Sequence, residues 1–600
     1  MSKANRTEHV VGGTRPVSGA SRHFYTLLRP YVARVMLMVG MLILLALVNM
    51  TIPASIGILF NEIFPKGDMS PLWILLPCLL IVYLVRNTLF LGTKYTAMQI
   101  GEQVCFRLRR RLFSRIETQD LKYFREHNPG SLSSRVMDDT FSVQTFVQED
   151  LPKLLQAACL FVALIVVLYA INWRLALVTT IVLPVHLLVF QLFKRPIKQT
   201  SRVSQGHLAS LHGNLVEKFL GMEVVQGFGA ERREHEAFVD AIDESRSSQL
   251  ATKRLLVKQK IAADLLIGVS TVALLGFGGY EVMKRTASAM RPGTFIAFFG
   301  YVSMLYPTVA LLMGTLGKLV RAGASVDRIQ EVLDSGTAKS SFAEPFRGVL
   351  RGRIGFFWVG VNGGQGPPVL TDVNLEIPAG SFCVITGPSG SGKTTLVRLV
   401  PRLLEPSRGR ILLDDTDLST VDVQWLRTAI GSAFQECFLF NSSILENLRY
   451  AKPEASTQQI ETATRITEIH ERIRQMPDGY DTVLGEGGWN PSYGERQRLG
   501  LARAMVMDPR ILIIDEATVA LDVASEERIV EGVRHFMQDR TTLMVTQRTR
   551  LLPLADMLIV LDQGRVVYQG KPADMPPEWQ LKWGIQEMAA GTPRRSERRA

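Results

Sequence analysis

The sequence predicts a multidomain protein in which an all-α domain of six membrane-spanning helices precedes an α/β domain. Three observations lead to this fold class. The first half of the 600-residue chain carries six long apolar segments. In the second half, a glycine-rich loop lies between a short apolar run and a helical pattern. A second apolar run ends in two acidic residues, which is typical of a strand buried on both faces of a parallel sheet.

The overall composition limits the class of protein. Apolar residues make up 47% of the chain, and their concentration in the first half indicates a membrane domain beside a soluble one. The net charge of +12 suits an anionic membrane surface or nucleic acid, but the sequence contains no nucleic-acid-binding motif. Five scattered cysteines predict neither a disulfide framework nor a metal site: Cys78, Cys105, Cys159, Cys383 and Cys437.

Polar segments mark the predicted domain boundaries. Residues 1–21 lack a cleavable signal pattern and are expected to form a disordered cytoplasmic tail. A transmembrane domain is predicted over residues 22–335, a linker over 336–346, and an ATP-binding domain over 347–580. The arginine-rich residues 581–600 are expected to form a solvated basic tail.

Each apolar segment has about the 20 residues that a membrane-spanning helix needs. The segments are Val32–Phe60, Leu72–Gly92, Leu154–Ile171, Leu175–Phe193, Ile261–Val282 and Thr294–Thr315. Short links join them in pairs, whereas the other two connections are long and rich in lysine and arginine, as in residues 107–111. The positive-inside rule places the long connections, both termini and the second domain in the cytoplasm.

The long connections keep a helical spacing of apolar residues, so we expect the membrane helices to continue far into the cytoplasm. Each connection must then turn and return. In the first, Asn128-Pro129-Gly130 predicts a break, with a helix restarting at Ser131. In the second, the turn is expected near His212, ahead of a short segment that ends at Val225.

The glycine-rich loop matches the phosphate-binding pattern G-x-x-x-x-G-K-[ST], called the P-loop. It consists of Gly387, Pro388, Ser389, Gly390, Ser391, Gly392, Lys393, Thr394 and Thr395. The run over residues 381–386 predicts a buried strand before it, and a helix is predicted after it. In such a loop backbone N–H groups bind phosphate oxygens, Lys393 reaches the β- and γ-phosphates, and Thr394 binds Mg²⁺. The predicted cofactors are therefore ATP and Mg²⁺.

The second apolar run, residues 511–514, leads to Asp515 and Glu516. Because a P-loop lies upstream, we interpret this run as a central strand whose end reaches the same site. Asp515 is predicted to hold Mg²⁺, and Glu516 is the candidate general base for the attacking water.

Three phrases in the first half carry a family resemblance. They are Phe124-x5-Gly130-x3-Ser134-Arg135-x2-Asp138-Asp139, Val224-Val225-x2-Phe228-Gly229-Ala230-Glu231 and Pro292-Gly293-Thr294-Phe295-Ile296-Ala297-Phe298. With the P-loop, they make the chain resemble ABC exporter half-transporters, in which six membrane helices are fused to one ABC ATPase domain of the P-loop NTPase fold. The resemblance covers residues 24–570, and multidrug and lipid-flippase exporters are the most similar by pattern. It implies a dimer whose two short coupling helices, at the turns named above, contact the ATPase domains.

The resemblance also assigns roles to single residues. Gln435, in a segment similar to the family's Q-loop, would touch Mg²⁺ or the attacking water. Gln547 stands where the family usually has a switch histidine; it can donate a hydrogen bond to the γ-phosphate but cannot carry a proton. The aromatic residue that stacks on adenine in the family is replaced by Gly363, and Phe357 or Trp358 could substitute for it unless strand alternation buries one of them.

The family's signature loop reads L-S-G-G-Q and is Pro491–Glu495 here. The resemblance implies that Ser492, Gly494 and Glu495 contact the γ-phosphate bound by the other protomer. Tyr493 adds bulk and Glu495 adds negative charge, so we expect weaker binding and slow hydrolysis.

These observations predict an ATPase coupled to transport: a half-transporter that acts as a dimer in the bacterial inner membrane. Its substrate would be a lipid, a drug-like or another amphiphilic molecule moved out of the cytoplasm or inner leaflet. Asn49, Arg86, Asn87 and Lys94, in or beside the spans, would suit an anionic head group, or they pair with one another. Two alternatives remain: the low-activity subunit of a heterodimer, and a regulatory ATP-binding membrane protein that does not transport.

Overall fold

A computed structural model describes residues 26–284, 290–335, 350–363, 367–485, 488–519, 521–576 and Trp579. The chain divides into two units. The first contains the residues up to Glu117 and Pro129–Ser335, and the second contains Thr118–Asn128 and the chain from Gly336 onward. The predicted tails at 1–21 and 581–600 and the predicted linker at 336–346 lie outside the described residues.

Among the residues that the structure describes, six long helices make up most of the first unit, as predicted. They are α1 Thr26–Lys66, α2 Ser70–Glu117, α4 Pro129–Ile171, α5 Trp173–Leu220, α7 Glu231–Met283 and α8 Pro292–Asp334. The shortest has 41 residues, which at about 1.5 Å per residue is about twice the roughly 30 Å thickness of the hydrocarbon core. The helices therefore extend well beyond a membrane, which confirms that the long connections are helical.

Two short helices occupy the predicted turns: α3 Leu121–Glu126 and α6 Met222–Gly227. Both turns differ from their predicted positions. After α3 the helix restarts at Pro129, not at Ser131, because proline fits the first position of a helix, where no N–H partner is needed. The second turn was predicted near His212 and comes at Gly221, because α5 continues through Pro196, Gly206 and Gly213 to Leu220.

The first unit has three clusters of buried apolar residues and internal ion pairs. Leu164 and Leu168 of α4 are fully buried with Phe298 and Leu305 of α8 in one cluster. Lys318 of α8 donates to the buried Asp150 of α4 at 2.7 Å. The Lys318 side chain is 44% exposed, so the pair links the two helices at a partly solvated position and gives the buried carboxylate of Asp150 a partner.

The described residues of the second unit form ten strands. They are β1 Ile354–Val361, β2 Leu370–Ile377, β3 Phe382–Thr386, β4 Arg408–Leu413, β5 Thr416–Asp417, β6 Ile430–Ala433, β7 Ile511–Asp515, β8 Thr541–Val545, β9 Met557–Asp562 and β10 Arg565–Gly570. One sheet has the order β2-β1-β4-β5 and is antiparallel. The other has the order β10-β9-β3-β8-β7-β6 and is parallel from β9 to β6. This α/β architecture confirms the predicted fold class.

From Gly336 onward, the described residues of the second unit also form seven α-helices. They are α9 Lys393–Leu399, α10 Val423–Ala429, α11 Ile444–Arg449, α12 Thr457–Ile466, α13 His470–Arg474, α14 Tyr493–Val506 and α15 Val523–Phe536. Short 3-10 turns occur at Leu418–Thr420, Gly479–Asp481, Thr549–Leu554 and Pro572–Asp574. Every residue of β3, β7 and β8 is buried, as expected for central strands of a parallel sheet covered on both faces. The carboxyl ends of these strands therefore form a rigid edge for a site.

Strand β1 contradicts one expectation. Simple alternation was expected to bury either Phe357 or Trp358, but their exposed fractions are 38% and 67%. The register of β1 shifts between Phe356 and Val359, and Trp358 has a positive φ of 52°. Such a bulge turns two successive side chains to the same face.

All five cysteines are free thiols, as predicted.

Candidate ATP-hydrolysis site

The P-loop joins β3 to α9, as the sequence predicts, and two of its glycines are required by geometry. Gly387 has a φ of +145° and Gly392 a φ of +99°. A Cβ atom at Gly387 would lie 2.0 Å from the carbonyl oxygen of Leu561, and one at Gly392 would lie 2.6 Å from the Cδ2 atom of Leu370. Side chains are thus excluded at these two positions, where the loop packs closely on neighbouring strands, and glycine lets the loop adopt a shape in which backbone N–H groups can meet phosphate oxygens.

Lys393 lies within the loop that it follows. Its side chain is buried, and its ammonium donates hydrogen bonds to the carbonyl oxygens of Gly387 at 3.0 Å and Pro388 at 2.8 Å. Burial lowers the pKa of this ammonium, although the nearby carboxylates of Glu516 and Asp515 oppose the shift. An anionic ligand in the loop would stabilise the charged form of the buried Lys393 ammonium, and this favours phosphate binding.

Two oxygens suited to Mg²⁺ meet at the end of β7. The Thr394 hydroxyl donates to Oδ1 of Asp515 at 3.1 Å. Oδ2 of Asp515 is buried without a hydrogen-bond partner among the described residues, and so is Oγ of Ser391. Burial raises the pKa of Asp515, while the Thr394 hydrogen bond and the charge of Arg398 oppose the shift. Hard oxygen donors with an unused buried lone pair fit Mg²⁺.

Glu516 follows Asp515 with a strained backbone. Its φ of +51° is unusual for a residue with a side chain and costs about 1 kcal/mol or more. The strain is maintained from two sides: its N–H donates to Val545 of β8 at 3.1 Å, and its carbonyl accepts from the buried Gln497 of α14 at 3.3 Å. The positive φ of Glu516 thus ends the extended conformation of β7 at Asp515.

Gln547 lies beside Glu516, although 31 residues separate them in sequence. The Nε2 atom of Gln547 donates a hydrogen bond of 2.8 Å to Oε1 of Glu516. The amide therefore restrains one carboxylate oxygen and leaves the other able to accept a proton. The structure brings the predicted base and the predicted switch residue into direct contact.

The signature segment begins helix α14 with a capping box. Ser492 is the N-cap: its Oγ accepts from the N–H of Glu495 at 3.3 Å, and the Glu495 carboxylate accepts from the N–H of Ser492 at 2.8 Å. The Tyr493 hydroxyl donates to the backbone oxygen of Gln435 at 3.2 Å. The signature segment and the predicted Q-loop residue are thereby joined within one chain.

Gly363 leaves little space for a side chain. A Cβ atom there would lie 2.5 Å from the carbonyl oxygen of Pro367. An aromatic residue at this position would require the loop to move. Trp358, on the bulge of β1, is instead mostly exposed, and its backbone N–H donates to Oδ1 of Asn374 at 2.9 Å.

Sequence reasoning missed the residues that hold the loops around Glu516. Arg548 follows Gln547 and donates to the backbone oxygens of Val519 and Leu521, in the loop after the base. It also pairs at 2.7 Å with Glu526, which is fully buried. Adjacency to Gln547 was the only signal for Arg548, and no sequence signal pointed to Glu526.

Both units of the chain match protein families of ABC transporters. Residues 35–307 match the family described as the ABC transporter transmembrane region, and residues 370–519 match the family described as ABC transporter. The ATP-dependent lipid A-core flippase of Thiobacillus denitrificans is 31% identical over 564 residues, covering 92% of this chain and 96% of the relative. The putative multidrug export ATP-binding/permease protein YgaD of Bacillus subtilis is 27% identical, with the same coverage of both chains.

A solved structure, described as that of a bacterial Atm1-family ABC exporter with ATP bound, shares the fold. Its TM-score is 0.80 at 24% identity, and the match covers 94% of this chain and 99% of the other. The six-helix unit and the α/β unit therefore occur together in a known exporter fold.

Proposed function

Because the chain belongs to the ABC transporter family, we propose that it is an exporter half-transporter that acts as a dimer and moves a lipid or similar amphiphile. The chain is an integral membrane ATPase whose hydrolysis is coupled to transport. The observation that carries the proposal is the contact of Gln547 with Glu516 at the edge where Asp515 and the P-loop meet, in a chain with six membrane helices.

Each proposed role uses a geometry described above. Thr394 and Asp515 would hold Mg²⁺, which when bound neutralises charge on the β- and γ-phosphates. Lys393 binds the same phosphates. Glu516 accepts a proton from the attacking water, and Gln547 orients the carboxylate for that transfer.

Gln435 is proposed to contact Mg²⁺ or the attacking water beside this base. Its backbone oxygen accepts from the Tyr493 hydroxyl, so the Q-loop and the signature segment are linked in one chain. Movement at one of the two loops can therefore be transmitted to the other.

Dimerisation is supported by the second turn of the first unit. The ends of α5, α6 and α7 meet there, and Leu220 and Phe228 are each 85% exposed. Apolar side chains exposed beyond the membrane favour a protein partner. We propose that this turn contacts the ATP-binding domain of the second protomer, while Ser492 and Gly494 contact ATP bound by that protomer.

A homodimer is the leading proposal because this chain retains Glu516 and gives its carboxylate a partner in Gln547. A heterodimer with a second half-transporter is the alternative, favoured by the altered residues Tyr493 and Glu495. The exporter-type relatives argue against a regulatory protein that does not transport.

The proposed location is the bacterial inner membrane, with the ATP-binding domain and both termini in the cytoplasm. The lysine- and arginine-rich ends of the long helices support this orientation through the positive-inside rule.

A lipid is the favoured substrate class. The name of the Thiobacillus relative includes lipid A-core, and this chain carries two cations among the apolar residues of α2. Arg86 lies over the ring of Tyr83 at 5.9 Å, and Lys94 lies over the ring of Phe90 at 5.9 Å. Cations held against aromatic rings in a membrane segment suit an amphiphile with an anionic head.

The first test is ATP hydrolysis by the purified chain in lipid nanodiscs. We expect weak but measurable hydrolysis in the wild type and none in the Glu516→Gln variant. Equal rates in the two proteins would refute the homodimer. Recovery of hydrolysis only after co-expression with a second half-transporter, with a mixed dimer isolated, would support the heterodimer.

A further inference from the structure

The Glu495 carboxylate has a cationic partner from a distant part of the sequence. Nε of Arg472, on helix α13, lies 3.3 Å from Oε1 of Glu495. The other carboxylate oxygen, Oε2, accepts from the N–H of Ser492 in the capping box. Both oxygens of this unusual signature residue are therefore occupied within its own chain.

The position of Arg472 is fixed by the rest of α13. His470 and Ile473 of that helix are buried, and Nδ1 of His470 lies 2.8 Å from the Tyr480 hydroxyl. The Arg472 side chain itself is 55% exposed. Its removal therefore changes charge beside the signature segment without opening the core.

Charge makes this contact relevant to nucleotide binding. Glu495 remains ionised: burial raises its pKa, but hydrogen bonds from Ser492 and the charge of Arg472 outweigh burial and lower it. An ionised carboxylate one turn into α14 opposes the favourable potential that a helix N-terminus offers to phosphate. A neighbouring guanidinium cancels that repulsion while the carboxylate continues to cap the helix.

We propose that Arg472 is a positioning residue that neutralises Glu495, so that Ser492 and the start of α14 can accept the γ-phosphate of the partner's ATP. The Ser492 oxygen accepts from the Glu495 N–H, and its hydroxyl proton remains able to reach phosphate. This inference rests on the proposed role of the signature segment. It explains how a glutamate is accommodated at a phosphate-contacting position.

The test is a double-mutant cycle in the full-length protein. Arg472→Leu should raise the KM for ATP about three- to tenfold and change kcat less than about twofold, as expected for one uncompensated charge near a multiply charged ligand. Arg472→Lys keeps the charge and should stay within about twofold of wild type. Arg474→Leu removes an equal charge from the same helix and is the matched control, also expected to stay near wild type.

Glu495→Gln keeps an oxygen for the cap and removes the charge. Combining it with Arg472→Leu should return KM to the Glu495→Gln value. A purely structural role for Arg472 predicts no such rescue, so a double variant as impaired as Arg472→Leu would overturn the inference. Equal effects of Arg472→Leu and Arg474→Leu would also overturn it. If Glu516→Gln hydrolysed ATP at the wild-type rate, the proposed ATP site would fail instead.

Discussion

Replacing Gln547 with leucine removes the amide that donates to the Glu516 carboxylate and keeps a side chain of similar size. The hydrogen bond is 2.8 Å long and has a charged acceptor. Hydrogen bonds to charged groups contribute about 1.5–3 kcal/mol, and the lower value applies because the Gln547 side chain is exposed. About 1.4 kcal/mol corresponds to a tenfold change in rate, so we expect kcat to fall about tenfold. KM for ATP should change less, because the P-loop is untouched.

Steady-state ATP hydrolysis in nanodiscs measures this effect, with Gln547→His as the matched variant. Histidine also has a ring N–H to donate and can in addition accept a proton, so its kcat should equal or exceed that of the wild type. A Gln547→Leu protein with kcat within twofold of wild type would refute the orienting role of Gln547. Equal losses in the leucine and histidine variants would refute it as well.

Three further predictions concern Asp515, the P-loop and the signature segment. Because the pKa of Asp515 is raised, protons compete with Mg²⁺ there, so kcat/KM should fall on acidification at a higher pH than for an ordinary aspartate. A higher Mg²⁺ concentration should move the fall in kcat/KM to lower pH. A fall at the same pH whatever the Mg²⁺ concentration would contradict the role of Asp515 as a Mg²⁺ ligand. Gly387→Ala forces a Cβ atom against backbone, so nucleotide binding measured by calorimetry should be lost; unchanged affinity would refute the need for glycine there. Tyr493→Phe removes the hydroxyl that donates to Gln435 and should lower kcat about two- to fivefold, whereas unchanged kcat would show that the link is dispensable.

Local patterns predicted the parts of the site whose geometry is local. Gly387 and Gly392 are required by backbone angles and close contacts within a strand–loop–helix unit, so the motif alone located them. Asp515 was found because four buried apolar residues precede it in a central strand. The six helices were visible because the hydrocarbon core sets their length and composition.

Contacts between distant segments were not predictable from pattern. Arg472 and Glu495 are 23 residues apart, and nothing in either segment indicates that they meet. The exposure of both Phe357 and Trp358 depends on a register shift against two neighbouring strands, which alternation within β1 cannot reveal. The turn at Gly221 came later than predicted because α5 runs on through Pro196, a residue type that usually ends a helix.

The most direct test of the account is lipid movement by the purified chain reconstituted in liposomes. With the ATP-binding domains facing outward, Mg²⁺ and ATP should drive a fluorescent anionic lipid from the outer to the inner leaflet, measured by its protection from a membrane-impermeant quencher. We expect this movement in the wild type and its absence in Glu516→Gln. Movement at the same rate in both proteins, or none in a wild-type protein that hydrolyses ATP, would contradict the proposed lipid exporter.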